Sequence, residues 1–143
     1  MGRQVRLLHS VRKSRVDTVL KEGLKAASAF DDLGLEIRRG AVFCWLHKED
    51  DRMWGQRSDY AHVEMTVDED RCRVAEMDFA SLAMMYRQGT KRPKNERAAR
   101  LLAELYEATS VPLPQYTQGI FSTPEVLVEG DVARECMRPL ETV

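Results

Sequence analysis

The stretch YAHVEMTVDED, which begins at Tyr60, constrains this chain more than any other. Ala61, Val63, Met65 and Val67 alternate with Tyr60, His62, Glu64 and Thr66. Successive side chains of an extended chain point to opposite faces, so this period predicts a strand with one apolar and one polar face. The acidic DEDR segment at 68–71 reads as a turn, and CRVAEM returns from it as a second strand.

The remaining segments fall around this pair. QVRLLH, 4–9, reads as a short buried strand ending at His9. In SRVDTVLKEGLKAAS, Val16, Val19, Leu20 and Leu24 recur at helical spacing, with Ser10 or Ser14 as a cap and Gly23 as its end or a turn near it. Residues 28–40 read as a loop, and AVFCWL, 41–46, as a compact β-prone run. HKEDDRMWGQRSD reads as a short helix or a lid-like loop. Two helices are expected next. One is DFASLAMMYRQ, capped by Asp78; the other starts at Pro93, with Ala98, Leu101, Leu102 and Leu105 on one face. VPLPQYTQGIFSTP is a long irregular loop, a kind that often carries function. EVLVEG and ARECMRPL are the last predicted strands. With no repeat, low-complexity tract or linker, residues 1–143 read as a single domain. The order of elements is α+β rather than regularly alternating α/β.

Bulk composition narrows the function classes. A chain of 143 residues can build one adequate core. Its net charge of −1 gives no global electrostatic case for nucleic acid or an anionic membrane. Arg3, Arg6, Arg12, Lys13 and Arg15 form a local basic cluster, read either as a solvated rim or as a patch. Cys44, Cys72 and Cys136 are widely spaced and make no metal pattern with the three histidines, so no metal is expected. An odd thiol count without an apolar leader predicts reduced cysteines in the cytoplasm, and no run is long enough to span a membrane.

No local catalytic motif is present, so any site must be assembled from distant residues. His9, followed by Ser10, either hydrogen-bonds a ribose or amide, or caps local backbone. Phe43 and Trp45 share a strand face and either stack on a base or nicotinamide, or pack in the core. Tyr60 and His62 share the polar face of their strand and either line a cleft or face water. Arg52 either clamps a phosphate or lies on the surface beside Trp54. Glu125 opens a strand after the long loop. A half-buried carboxylate there suits a sugar hydroxyl and an oxocarbenium ion; the other reading is an ordinary polar strand start.

LLHSVRKSRVDTVLKEGL resembles the opening of ADP-ribosyltransferase-fold domains, a strand ending in His followed by a helix closing on GL. AVFCWL with DRMW is similar to the second element of the DarT-like branch of that fold. YAHVEMTVDEDRCRV resembles its next strand, and PEVLVEGDVARECM its glutamate strand. The resemblance runs in order from residue 6 to residue 138. It implies a split, bent antiparallel β core with flanking helices, and NAD as substrate in a cleft where His9, Tyr60 and Glu125 meet. By the same resemblance, His9 and Ser10 hold the ribose or nicotinamide side and Trp45 or Tyr60 stacks on nicotinamide. Arg52 steadies a phosphate or the target, Glu125 binds the ribose 2′-hydroxyl, and Tyr116 and Gln118 meet the acceptor. Two residues before Glu125 stands Thr123, where many such transferases carry Glu or Gln, so arginine gains no support as acceptor. The function implied is ADP-ribosyl transfer to a macromolecule, toxin-like, with a neutralising partner protein as one associated possibility. The alternatives are a non-catalytic nucleotide- or protein-binding module on the same fold, and an NAD-dependent RNA 2′-phosphotransferase-like enzyme.

Overall fold

The computed structural model describes residues 2–26, 33–52, 54–55 and 57–140. The elements, in chain order, are β1 (Gln4–Arg12), α1 (Val16–Glu22), β2 (Ala41–Trp45), β3 (Tyr60–Asp68), β4 (Cys72–Glu76), α2 (Met77–Gln88), α3 (Glu96–Thr109), β5 (Val111–Pro112), β6 (Pro124–Glu129) and β7 (Met137–Pro139). The fold is α+β. Seven strands form one sheet in the order β5-β4-β6-β2-β1-β3-β7, and every neighbouring pair is antiparallel.

The two halves of the sheet are joined thinly. β1 pairs with β3 over nine positions, Gln4↔Asp68 through Arg12↔Tyr60. β2 pairs with β6 from Ala41↔Glu129 to Trp45↔Glu125. Between β1 and β2 the one register pair is Leu8↔Trp45. Opposed residues share a sheet face. One row therefore runs Ala75, Glu125, Trp45, Leu8, Glu64, Arg138 across six strands.

The faces are covered unequally. On one face Leu7, Val42, Cys44, Val63, Met65, Val74, Val126 and Val128 form a continuous core, closed by Val19 of α1. On the other face Ala41, Trp45, Ala75 and Leu127 pack against Ala80 and Ala83 of α2 and Tyr106 of α3. This second cover lies over β2, β6 and β4. The β1 and β3 positions on the same face are mainly polar, among them Arg6, Ser10, His62, Glu64 and Thr66, with Leu8 as the apolar exception opposite Trp45. The boundary between the covered and polar halves falls at the thin join.

Several local expectations are corrected. β1 runs three residues past His9, because its pairing with β3 continues to Arg12. Asp78 does not cap α2; it lies in the first turn, and the cap position is Glu76. α3 starts after Asn95, whose Oδ1 accepts the Ala98 N–H at 3.0 Å, rather than at Pro93. Among the described residues of the segment 47–59, Lys48–Asp50 forms one short helical turn. The last strand shrinks to Met137–Pro139, and the 111–124 loop contributes both β5 and the first residue of β6. Gly23 does end α1, with φ +78°. The backbones of Leu24 and Val132 pair immediately beyond it, so a side chain at 23 would collide with the Val132 carbonyl. Among the described residues, no helix is long and apolar enough to cross a membrane.

Candidate functional site

Two buried polar clusters flank Trp45 on the half-covered face. The first is built on Glu125. Its Oε1 accepts from Arg38 Nη1 at 2.7 Å and from the Tyr106 hydroxyl at 2.6 Å, and the carboxylate is nearly sealed from solvent. Arg38 also donates to the Tyr106 oxygen at 2.8 Å, and its guanidinium lies 4.1 Å over the Phe43 ring. Burial works against the Arg38 charge, but Glu125 and Tyr106 outweigh it and raise its pKa. Burial, then the charge of Glu125, pushes the Tyr106 hydroxyl well above its usual range, so it stays a donor.

The second cluster is centred on Asp51, which is 1 % exposed. Its Oδ2 accepts from Ser10 Oγ and, at 2.8 Å, from His62 Nε2; Oδ1 accepts the Trp54 N–H at 2.8 Å. Burial alone would raise this carboxyl. The bonds from His62, Ser10 and the backbone N–H groups of Trp54 and Gly55 prevail and hold it at about 2. Trp45 connects the clusters: its indole N–H reaches Ser10 Oγ at 3.3 Å, and it is the strand partner of Glu125.

This second arrangement is not a nucleophilic triad. Ser10 and His62 both donate to the same carboxylate oxygen, so no imidazole stands ready to take the serine proton. A carboxylate held at about 2 is also a weak base at neutral pH. What the cluster does is fix Ser10, His62 and the loop after β2 in place.

His9 occupies the thin join itself. Strand alternation puts it on the face opposite Ser10, yet its Nδ1 lies 2.6 Å from the Phe43 carbonyl oxygen. A carbonyl can only accept, so Nδ1 carries the proton. Burial lowers the pKa of His9; the bond to the Phe43 carbonyl opposes that, nearby His62 adds to it, and Asp51 opposes it more weakly.

The other sequence candidates scatter. Tyr60 stacks on Trp54 at 4.8 Å between ring centroids, with Arg57 and Arg12 over its ring. Arg52 is exposed, in the loop that supplies Asp51. Tyr116 and Gln118 line a separate groove with Val5, Leu46 and Leu113, and Tyr116 packs with the core of the other face. His9, Tyr60 and Glu125 thus belong to three separate arrangements rather than the one cleft expected, with His9 on the sheet face opposite Glu125 and Tyr60. Met53, from the aromatic-loop motif, lies outside the described residues.

Asp51, Arg38 and Tyr106 were not singled out in the sequence. Tyr106 had a signal, since Ala99, Ala103 and Tyr106 share helical spacing and form the buried side of α3. Asp51 and Arg38 sit in polar loop segments where neighbouring residues of the same charge, Asp50 and Arg39, are equally eligible. Thr123 lies just before β6, and the carboxylate of Glu76 accepts both its N–H and that of Ser122 at 2.8 Å. This clamp fixes where Glu125 begins. Among the described residues, no group of three His, Cys, Asp or Glu side chains is placed to hold a metal ion.

Comparison with models of known protein families, with curated proteins and with solved structures finds no match in any of the three.

Proposed function

We propose that this protein is an NAD-dependent ADP-ribosyltransferase in which Glu125 serves the transfer step. The observation that carries the reading is the position of Glu125: a buried carboxylate at the start of β6, one strand from the join between β1 and β2, with Trp45 between it and Ser10. In the proposed step the bond between ribose C1′ and the nicotinamide nitrogen breaks, and the electron pair leaves with neutral nicotinamide. Positive charge develops on the ribose, where Glu125 stabilises it and accepts a hydrogen bond from the 2′-hydroxyl. A nucleophile of the macromolecular acceptor then attacks C1′ and releases its proton. Trp45 and Ser10 bound the nicotinamide side, and His9 fixes the edge of β2 that faces it. Arg38 must leave Glu125 when NAD⁺ enters, because its guanidinium holds the same oxygen.

That last requirement favours a second reading, in which Glu125, Arg38 and Tyr106 are a permanent structural triad and the protein is a non-catalytic nucleotide- or protein-binding module. One experiment separates them. Wild type and Glu125→Gln are incubated with NAD⁺, free nicotinamide is followed, and NAD⁺ binding is measured by calorimetry. The transferase reading expects nicotinamide from wild type and a loss of about 100-fold or more in Glu125→Gln, the scale of removing one transition-state electrostatic partner. Binding without turnover, equal in both proteins, supports the module. Absence of binding in both rules out the NAD reading.

A further inference from the structure

A cavity of about 460 Å³ lies at the end of β6 away from Glu125, between the 36–40 loop and the strands β4 and β5. That volume is within the range of small-molecule sites. Its apolar lining is Ile37, Ala41, Pro112 and Leu127. Arg73 is the strand partner of Leu127 and shares its face, and Arg71 stands two residues before it.

These two arginines are held by oxygens that carry no charge. Arg71 donates through Nε and Nη2 to the Glu129 carbonyl at 3.0 and 2.7 Å, and through Nη2 to the Asp131 carbonyl at 2.7 Å. Arg73 donates through Nη2 to the Ser110 carbonyl at 2.9 Å, and through Nη2 and Nε to the Ser110 hydroxyl at 3.1 and 3.3 Å. Both are half-buried. Among the described residues, neither has a carboxylate within ion-pair distance, and neither Nη1 has an acceptor. The carboxylate of Asp131 is engaged by Lys25 and by the Ala26 N–H. Each guanidinium is thus fixed along one edge, with its charge uncompensated and the rest of its fork uncommitted.

Four more charged side chains line the cavity: Arg39, Glu36, Asp70 and Glu129, all exposed. Exposed side chains change rotamer freely and can turn to water. Arg71 and Arg73 cannot leave without breaking their bonds to the backbone. The fixed charge of the cavity is therefore positive, two guanidiniums beside an apolar wall. Two fixed cations suit a head with two negative charges. A phosphate monoester carries about −2 near neutral pH, whereas a carboxylate carries a single charge.

From this we infer that the cavity is a binding site for a small phosphate monoester, with its phosphate on Arg71 and Arg73 and an apolar or aromatic body along Ile37, Ala41, Pro112 and Leu127. None of these side chains hydrogen-bonds Glu125, and the inference is independent of the proposed activity.

The test uses the full chain with phenyl phosphate as the probe. Calorimetry should give a dissociation constant below about 1 mM. Benzoate, with the same ring and one charge, should bind at least about tenfold more weakly. Nitrogen-15 spectra of the arginine Nε–H groups in wild type should show phenyl phosphate moving the Arg71 and Arg73 signals, while Arg57 beside Trp54 stays in place. Arg71→Gln and Arg73→Gln should each weaken binding at least about tenfold, and the wild-type spectra decide the matter if either variant fails to fold. Excess NAD⁺ should not displace the probe. No binding up to about 10 mM, or binding that leaves the Arg71 and Arg73 signals unmoved, overturns the site. Equal affinity for benzoate overturns the phosphate class. Displacement by NAD⁺ overturns the independence of the site and makes the cavity part of the NAD⁺ cleft.

Discussion

Asp51 shows how one buried charge can be kept stable by its donors. Four donors converge on a carboxylate with almost no solvent, and the net effect is a pKa near 2 instead of the usual value near 3.8. The unfolded chain binds this proton more readily than the folded one, so the contribution is complete above the unfolded value and is lost as pH falls toward about 2. On the scale of about 1.4 kcal/mol per pKa unit, the amount at stake is about 2 kcal/mol. Urea unfolding of wild type should therefore show a stability loss between about pH 4 and pH 2 that is smaller in Asp51→Asn. An identical acid slope in the two proteins would show that Asp51 does not carry it. Arg38 makes a different case. Its partner Glu125 is buried, so Arg38→Met leaves a carboxylate without its counter-charge, and the expected loss is about 3 kcal/mol. The double variant Arg38→Met/Glu125→Met should recover much of that loss, because no unpaired charge then remains; the denaturation midpoints of the four proteins of this cycle decide it.

Elements were legible in proportion to how local their cause is. The alternation of Ala61, Val63, Met65 and Val67 reported β3, and all four positions face the core side of the sheet. The same logic was half right at α3: of 98, 101, 102 and 105, Leu102 packs on the core while Leu101 and Leu105 stay exposed, because the small residues Ala99 and Ala103 let α3 approach the protein and bury Tyr106. Periodicity finds a face; it does not say which edge of that face meets the core. Loop residues were least legible, since Asp51 and Arg38 depend on contacts to β1, β3, β6 and α3, all remote in sequence. The turn at Gly23 was visible as punctuation, but its tightness comes from the approach of Val132. Gly23→Ala combines a positive φ with that collision. It should lower stability by more than about 1 kcal/mol, read as a drop in melting temperature. An unchanged melting temperature would mean that the Leu24–Val132 pairing is not maintained in solution.

At the scale of the whole molecule, the sheet is two antiparallel halves that share a core and whose strands meet at one register pair, with the Trp45–Ser10 and His9–Phe43 bonds beside it. β1, β3 and β7 make one half and β2, β6 and β4 the main part of the other; Leu8↔Trp45 joins them. Past that pair the Phe43 carbonyl finds the His9 ring instead of a β1 amide. The bond itself tolerates protonation, because Nδ1 donates in either charge state. What does not tolerate it is the burial that holds His9 neutral. The folded-state pKa lies below 6.5, so between that value and 6.5 the unfolded chain binds a proton that the folded one refuses, and stability falls with pH in that window. The cost should appear first where the halves meet, since opening there is the smallest motion that lets water reach the ring. Hydrogen exchange, corrected for intrinsic rates, should accelerate at Val42–Trp45 on going from pH 7.5 to 5.5 by more than it does at Val126–Val128 on the far side of β2. His9→Gln keeps a donor for the Phe43 carbonyl and removes the titration, so its exchange at the join should be flat across the same range. His9→Ala leaves that carbonyl unpaired, costs about 1–3 kcal/mol, and should exchange fast at both pH values. If wild type and His9→Gln respond alike to pH, the join is not governed by His9, and the neighbouring pair of His62 and Asp51 becomes the group to vary next.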